Sequence, residues 1–258
     1  PLLNSEFVKN KVWVDTDTDG SWTVYRKSLN YAYDSEVTKT SSSTFGSAVA
    51  YDEALGYLVS DSVLGKVYRY TYNALTQIYS IAQTITKDAS FGSTVVYSNN
   101  TYVISEPTSG TPKVYVYKLE KTILVNELVL DQTIAAPVGV ANWGSAVALS
   151  GDENWLYISA IEDDLIYVYV KSQLTDQYVL HTTLSSVDID AGSSLGYSIA
   201  TTYYGETVIA GAPNQAYDPL GTNLANWGSV VVWDRITQNL ETPYNSSPYV
   251  PVLFTLVS

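Results

Sequence analysis

The chain has 258 residues, of which 46% are hydrophobic and 15% charged, and it carries a formal net charge of −13 at pH 7. Only 13 Lys and Arg residues are present, which argues against a nucleic-acid surface and against binding to anionic lipid. Cations, neutral glycans and protein surfaces remain as partners. The chain has no Cys, which excludes disulfides, thiolate metal sites and cysteine catalysis. It also has no Met, so we expect a processed or excerpted piece of a longer protein.

The first predicted elements lie in an N-terminal segment, residues 1–44, where Val12–Asp15 and Trp22–Tyr25 form two strands of a partial repeat unit. Between them stands DTDTDG, in which Asp15, Asp17, Asp19 and Gly20 match the first half of a calcium loop. The acid expected at its twelfth position is Arg26, and Asp-Gly is equally typical of a hairpin turn. Calcium at Asp15, Asp17 and Asp19 is therefore an alternative to a solvated turn, and no other cofactor is predicted.

A repeated motif follows. FGSAV at Phe45–Val49 returns as FGSTV at Phe91–Val95, WGSAV at Trp143–Val147 and, more weakly, LGYSI at Leu195–Ile199. The spacings of 46, 52 and 52 residues predict four units, 45–90, 91–142, 143–194 and 195–258. Four glycines should then occupy equivalent positions at the start of each unit's first strand: Gly46, Gly92, Gly144 and Gly196.

Each unit continues with three further predicted strands. The second strands are Tyr57–Ser60, Tyr102–Ser105, Leu156–Ser159 and Val208–Gly211; the third are Lys66–Tyr70, Lys113–Tyr117, Ile166–Tyr169 and Gly228–Trp233; the fourth are Gln83–Ile85, Gln132–Ile134 and Thr182–Leu184. Four strands in about 50 residues predict an all-β β-propeller of four-stranded blades. A sandwich and a β-solenoid are the alternatives.

The partial N-terminal unit brings the count to about five blades. Its strands could complete a blade with the C-terminal strand Pro251–Leu256, or two further blades could lie outside this sequence. The tyrosines that recur on the third strands predict packing between blades rather than a sugar-binding platform; they are Tyr68, Tyr70, Tyr115, Tyr117, Tyr167 and Tyr169.

The motifs Phe-Gly-Ser-x-Val, GETVIAGAP at Gly205–Pro213 and Gly-x-Val-x-Val-Trp together resemble the FG-GAP repeat of integrin-α-type propellers, over residues 45–258. The upstream strands resemble a segment that precedes such propellers in large virion proteins of tailed phages, cyanophages especially. These resemblances imply an extracellular or virion-surface module for assembly or attachment. The blade loops lack the family's Asp-x-Asp-x-Asp-Gly string, so calcium binding is not carried over to the blades.

Catalytic motifs are sparse. His181 is the only histidine and lies in a strand-like segment, and no Gly-x-Ser-x-Gly elbow is present. Glycosidases need paired carboxylates, and the acids available are predicted to be solvated turn residues: Glu53, Glu106, Asp152, Glu153, Glu162, Asp163 and Asp164. In the fourth unit, the loop 214–226 is longer than the matching loop of any other unit. It is a candidate binding loop through Tyr217 and Leu220, or it has no role in binding.

The sequence therefore predicts a non-catalytic binding or structural propeller, not an enzyme. The leading hypothesis is a component of a virion surface, in a tail, baseplate or fibre, that serves assembly or host attachment. Its partners would be other virion or surface proteins, a host glycan or a receptor, without nucleic acid or membrane insertion. A cell-surface adhesion propeller is the second hypothesis, and a propeller glycosidase or lyase is the third.

Overall fold

The computed structural model describes residues 12–16, 22–26, 44–52, 56–73, 75–76, 78–121, 126–216, 228–235 and 249–254. The chain divides into two compact units, Pro1–Thr38 and Lys39–Ser258. All regular structure within the described ranges is β-strand, so none of those residues belongs to a helix that could span a membrane.

In the first unit, strands β1 (Val12–Thr16) and β2 (Trp22–Arg26) form an antiparallel two-stranded sheet in which Val14 pairs with Val24. The predicted calcium ligand Asp15 lies on β1. Its partners Asp17 and Asp19 lie outside the described residues, so the calcium loop stays a prediction.

The second unit contains four antiparallel sheets of four strands each, with the strands of every sheet in chain order. Blade 1 comprises β3 (Phe45–Asp52), β4 (Gly56–Asp61), β5 (Lys66–Asn73) and β6 (Ile78–Thr86). Blade 2 comprises β7 (Val95–Ser98), β8 (Thr101–Glu106), β9 (Lys113–Lys121) and β10 (Asn126–Ala135). Blade 3 comprises β11 (Trp143–Leu149), β12 (Trp155–Ala160), β13 (Leu165–Lys171) and β14 (Tyr178–Leu184). Blade 4 comprises β15 (Ser198–Thr201), β16 (Thr207–Ala212), β17 (Ser229–Arg235) and β18 (Tyr249–Phe254).

This arrangement confirms the all-β propeller of four-stranded blades. The idea that the N-terminal strands share a blade with the C-terminal strand is wrong for the described residues. β18 pairs with β17 and is the fourth strand of blade 4, whereas β1 pairs with β2 in a sheet of two.

The core lies between successive blades. Side chains alternate across a strand, so each blade has a leading face toward the preceding blade and a trailing face toward the next. The trailing residues Leu58 and Val67 of blade 1 share one buried cluster with Tyr102 of blade 2's leading face. The same pairing of faces forms the clusters between blades 2 and 3 and between blades 3 and 4. In blades 2 and 3 the second and third strands are covered on both sides, and most of their buried side chains are apolar on both faces.

The third-strand tyrosines belong to the leading faces, and all six are buried. Tyr115, Tyr117, Tyr167 and Tyr169 belong to the clusters between blades, which confirms the prediction for blades 2 and 3. Tyr68 and Tyr70 of blade 1 contact the ring of Phe45 in their own blade. Phe91 and Trp143, which open blades 2 and 3, are fully buried as well, and their rings contact the tyrosines of the same blade edge to face.

The four repeat glycines occupy equivalent positions, as predicted. Gly46, Gly92, Gly144 and Gly196 have φ of 89°, 88°, 87° and 89°, a conformation that side chains rarely adopt. A Cβ on Gly92 would lie 2.7 Å from the Cβ of Ser60 in blade 1, so glycine also permits close approach of neighbouring blades.

Candidate functional site

The turn that joins the first two strands of blade 3, residues 150–154, is the centre of the candidate site. The Asp152 carboxylate accepts hydrogen bonds from the Ser150 hydroxyl at 2.6 Å and from the Asn154 amide at 2.8 Å. Partial burial raises the pKa of Asp152, but these hydrogen bonds outweigh it and hold the pKa below its ordinary value. The turn therefore presents a fixed, ionised carboxylate at neutral pH.

Trp155 follows this turn as the first residue of β12, and Arg235 of blade 4 lies over its indole. The Arg235 guanidinium carbon is 4.4 Å from the ring centroid, a cation–π distance. The guanidinium also donates to the Tyr204 carbonyl at 3.3 Å, and the Arg235 backbone N–H donates to the Glu206 carbonyl at 2.7 Å. Two blades thus hold this cation in place.

These residues line an open cleft of about 570 Å³ between blades 3 and 4, which we call the Trp155 cleft. Its lining consists of Asp152, Asn154, Trp155, Val170, Lys171, Gln173, Tyr204, Glu206 and Arg235. The lining contains two carboxylates, two cations, two side-chain amides and two aromatic rings. Such a set supplies hydrogen-bond donors and acceptors beside flat apolar surface, as binding pockets for small molecules do.

Beside the cleft, an ion cluster ties blade 3 to blade 2. Lys171 lies 3.1 Å from Asp176 and 3.5 Å from Glu153, and Lys118 of blade 2 approaches the same two carboxylates. Burial is the main cause that lowers the pKa of Lys118, and the neighbouring Lys171 lowers it further. Glu153 also accepts hydrogen bonds from the Asn100 and Thr101 backbone N–H groups. The cluster fixes the Lys171 side of the cleft.

The carboxylates predicted to be solvated turn residues differ from one another in the structure. Glu106 is wholly buried and accepts a hydrogen bond from the Tyr115 hydroxyl, so the prediction of a solvated turn is wrong there. Glu153 is mostly enclosed by the ion cluster. Asp152 lines the cleft, whereas Glu162 and Asp163 are exposed in the next turn. Glu53 lies outside the described residues.

His181 lies on β14 with its ring edge to face against Trp155, at 5.5 Å between centroids. It supports the tryptophan from the side of the outer strand and does not line the cleft. The loop candidates Tyr217 and Leu220 lie outside the described residues, and their role stays a prediction.

Sequence reasoning missed Trp155, Tyr204 and Arg235 because they come from two blades and share no motif. One signal was available. The first position of the second strand is Gly56, Thr101 and Thr207 in the other blades, so a tryptophan there departs from the repeat. Residues that break a repeat's pattern often belong to a binding face.

A second cavity of about 570 Å³ lies between the loops 107–112 and 136–142. Within the described part of the chain, its lining has no ionisable side chain and is mostly apolar. This cavity therefore offers fewer groups for recognising a ligand than the Trp155 cleft does.

No protein-family model matches the sequence, and no curated protein is detectably similar to it. Solved structures are similar in fold. The β-propeller domain of Cps50 (Swd1) from Myceliophteria thermophila has a TM-score of 0.51 at 12% identity, covering 78% of this chain and 60% of that one. The periplasmic gluconolactonase of Pseudomonas aeruginosa has a TM-score of 0.54 at 16% identity, covering 88% and 60%. A candidate 6-phosphogluconolactonase of Bacteroides uniformis has a TM-score of 0.55 at 15% identity, covering 87% and 60%.

The chain therefore spans about 60% of the length of these solved propellers. At such identities the similarity shows the fold. The FG-GAP and phage resemblances have no match among family models and stay predictions from motifs.

The prediction that the chain is not an enzyme is contradicted by these comparisons, because similar propellers include proteins named as gluconolactonases. The prediction relied on the absence of catalytic motifs. A propeller can instead place carboxylates and cations from separate blades in one cleft, as Asp152 and Arg235 line the Trp155 cleft here, and a motif search does not detect such an arrangement.

Proposed function

We propose that this propeller is a binding module that recognises a neutral carbohydrate in the Trp155 cleft. The observation that carries the proposal is that the fixed Asp152 carboxylate and the Arg235–Trp155 stack line the same cleft. Carboxylates and side-chain amides suit vicinal hydroxyl groups, which need both donors and acceptors. Tyr204 is 57% exposed and offers ring surface to the apolar side of a sugar.

The charge of the chain supports a neutral ligand. A net charge of −13 repels polyanions at long range, while the cleft itself balances two carboxylates with two cations. The motif resemblance extends the proposal to its setting: the module would serve attachment or assembly at a virion surface or another extracellular surface. Mass spectrometry of purified virions, together with the genes beside its own, tests that setting.

Binding is tested by calorimetric titration with three neutral probes, cellopentaose, chitopentaose and maltopentaose. We expect at least one to bind, and Asp152→Asn to weaken that binding about tenfold or more, because hydrogen bonds to charged groups contribute about 1.5–3 kcal/mol. Asp163→Asn is the matched control, since Asp163 is an exposed acid in another turn of blade 3. Equal affinities for the two variants, or no binding of any probe, would refute the site.

A second candidate function is hydrolysis of a sugar lactone in the same cleft. The names of two similar propellers favour it, and an ionised Asp152 could accept a proton from an attacking water. Glucono-1,5-lactone is the probe, with acid release followed at constant pH. Turnover above the spontaneous rate that is lost in Asp152→Asn and kept in Asp163→Asn would support catalysis.

A further inference from the structure

Two lysines lie side by side where the third strand of blade 2 meets two turns of blade 3. Lys118 on β9 pairs in register with Thr101 of β8, and its Nζ lies 2.8 Å from the Thr101 hydroxyl oxygen. Lys171 is the last residue of β13 in blade 3. The side chains of Lys118 and Lys171 are only 18% and 13% exposed, and their amines lie within hydrogen-bond reach of each other. We call these two residues the lysine pair.

The enclosed negative charge beside the lysine pair is smaller than its positive charge. The Glu153 carboxylate, 13% exposed, approaches both amines through Oε2, at 3.5 Å from Lys171 and 4.0 Å from Lys118. Its Oε1 already accepts hydrogen bonds from two backbone N–H groups of blade 2. Asp176 lies 3.1 Å from Lys171 and 3.7 Å from Lys118, but its side chain is 71% exposed and water weakens its attraction. Two enclosed cations therefore share one enclosed anion.

This arrangement favours the loss of one proton from the lysine pair. A hydrogen bond between two lysines needs one ammonium to donate and one neutral amine to accept. Burial lowers the pKa of Lys118, and contact with Lys171 lowers it further, against the opposing effect of the two carboxylates. Burial also acts to lower the pKa of Lys171, but its contacts with Lys118 and Asp176 outweigh burial and raise that pKa. Lys118 is therefore the residue that loses its proton first.

We propose that Lys118 is a covalent attachment site for a small aldehyde, which it binds as an imine. Lysine amines become nucleophiles toward carbonyl carbon where they are desolvated or lie beside another cation, and Lys118 meets both conditions. The exposed Asp176 leaves one side of the lysine pair open to solvent. The aldehyde must be small, because little of the Lys118 side chain is exposed.

The reaction exchanges a C=O bond for a C=N bond and releases water. The lone pair of Lys118 Nζ attacks the carbonyl carbon, and the electron pair of the C=O π bond moves to the oxygen. The Lys171 ammonium gives this oxygen a proton and recovers one from the nitrogen, which leaves a carbinolamine. A second exchange of the same kind releases the oxygen as water and leaves the imine. No atom is oxidised or reduced.

This inference goes beyond the proposed function. It concerns a covalent ligand at the lysine pair and requires no sugar in the Trp155 cleft, although Lys171 also lines that cleft. Labelling of Lys118 and binding of neutral sugars can therefore succeed or fail separately.

The test is labelling of the whole chain with propionaldehyde and cyanoborohydride at neutral pH, followed by peptide mass spectrometry. Cyanoborohydride delivers a hydride to the imine carbon and the nitrogen takes a proton, so each imine becomes a stable secondary amine. We expect Lys118 to be labelled faster than Lys121, an exposed lysine on the same strand. Labelling of Lys118 that is no faster than that of Lys121 would overturn the proposal.

Two substitutions of Lys171 distinguish an activated amine from a lysine that is merely accessible. Lys171→Gln removes the neighbouring positive charge, so the pKa of Lys118 should rise and its faster labelling relative to Lys121 should be lost. Lys171→Arg keeps a positive charge there and should keep the faster labelling. Near-ultraviolet circular dichroism checks that both variants are folded. The proposal is wrong if Lys171→Gln leaves the labelling of Lys118 unchanged.

Discussion

The side-chain amide of Gln83 in blade 1 holds the backbone of Leu128 in blade 2 with two hydrogen bonds. Gln83 Nε2 donates to the Leu128 carbonyl, and its Oε1 accepts from the Leu128 N–H, each at 2.9 Å. Gln132 of blade 2 does the same with Tyr178 of blade 3, at 2.8 Å in both directions. The outer strands of three blades are therefore linked by one repeated contact.

This contact should contribute to stability. Gln132→Ala leaves the N–H and carbonyl of the buried Tyr178 without their partners, which costs about 1–3 kcal/mol for each unsatisfied buried group. For the two groups together, urea denaturation should show a loss of about 2–6 kcal/mol. Gln177→Ala is the matched control, because Gln177 is exposed in a turn and should change the unfolding free energy by no more than about 0.5 kcal/mol.

The repeat glycines allow the stability cost of backbone strain to be measured separately from the cost of a clash between blades. A Cβ on Gly46 meets no atom of the described residues within 4 Å, so Gly46→Ala should cost only the strain of the left-handed conformation, about 1–2 kcal/mol. Gly92→Ala pays the same strain and also clashes with Ser60 and Val67 of blade 1, which adds about 1–3 kcal/mol. Thermal unfolding of both variants should place Gly92→Ala lower. Equal stabilities would mean that blades 1 and 2 do not pack closely at Gly92.

Phe91 fills the interface between blades 1 and 2 and is fully buried. Its replacement by alanine should cost about 3–5 kcal/mol, a large part of the about 5–15 kcal/mol that stabilises a domain. Leu174→Ala, at a position 97% exposed, is the control for urea denaturation. A Phe91→Ala variant as stable as Leu174→Ala would show that the aromatic is not part of the core.

Alkaline pH should weaken the stack through its buried tyrosines. Burial raises the pKa of Tyr117 and of Tyr169 to about 12, whereas tyrosine in an unfolded chain ionises near about 10. Between these values the folded protein keeps protons that the unfolded chain has lost, so the free energy of unfolding falls as pH rises from about 10 to about 12. Ultraviolet titration of tyrosinate with parallel urea melts measures both effects. A stability that stayed constant over this range would contradict the burial of these two hydroxyl groups.

More of the fold than of the candidate site could be predicted from the sequence. The spacing of the Phe-Gly-Ser copies predicted four units, and the alternation of Lys-Val-Tyr-Val-Tyr predicted strands with tyrosines between blades. These features repeat locally, so a single sequence displays them. The Trp155 cleft depends on Arg235 reaching from one blade over the ring of another, and on Asp152 being fixed by its own turn. Neither relationship is periodic, so the sequence alone does not indicate that these residues lie in one cleft.

The central claim is ligand recognition at the Trp155 cleft, and the indole N–H resonance of Trp155 tests it most directly. The chain has six tryptophans, and Trp155→Phe identifies the resonance in a ¹H–¹⁵N spectrum. On titration with cellopentaose, chitopentaose or maltopentaose, we predict a saturable shift of the Trp155 signal and none of the buried Trp143. The claim would be contradicted if the Trp155 signal stayed unmoved by all three, or if another tryptophan shifted in its place.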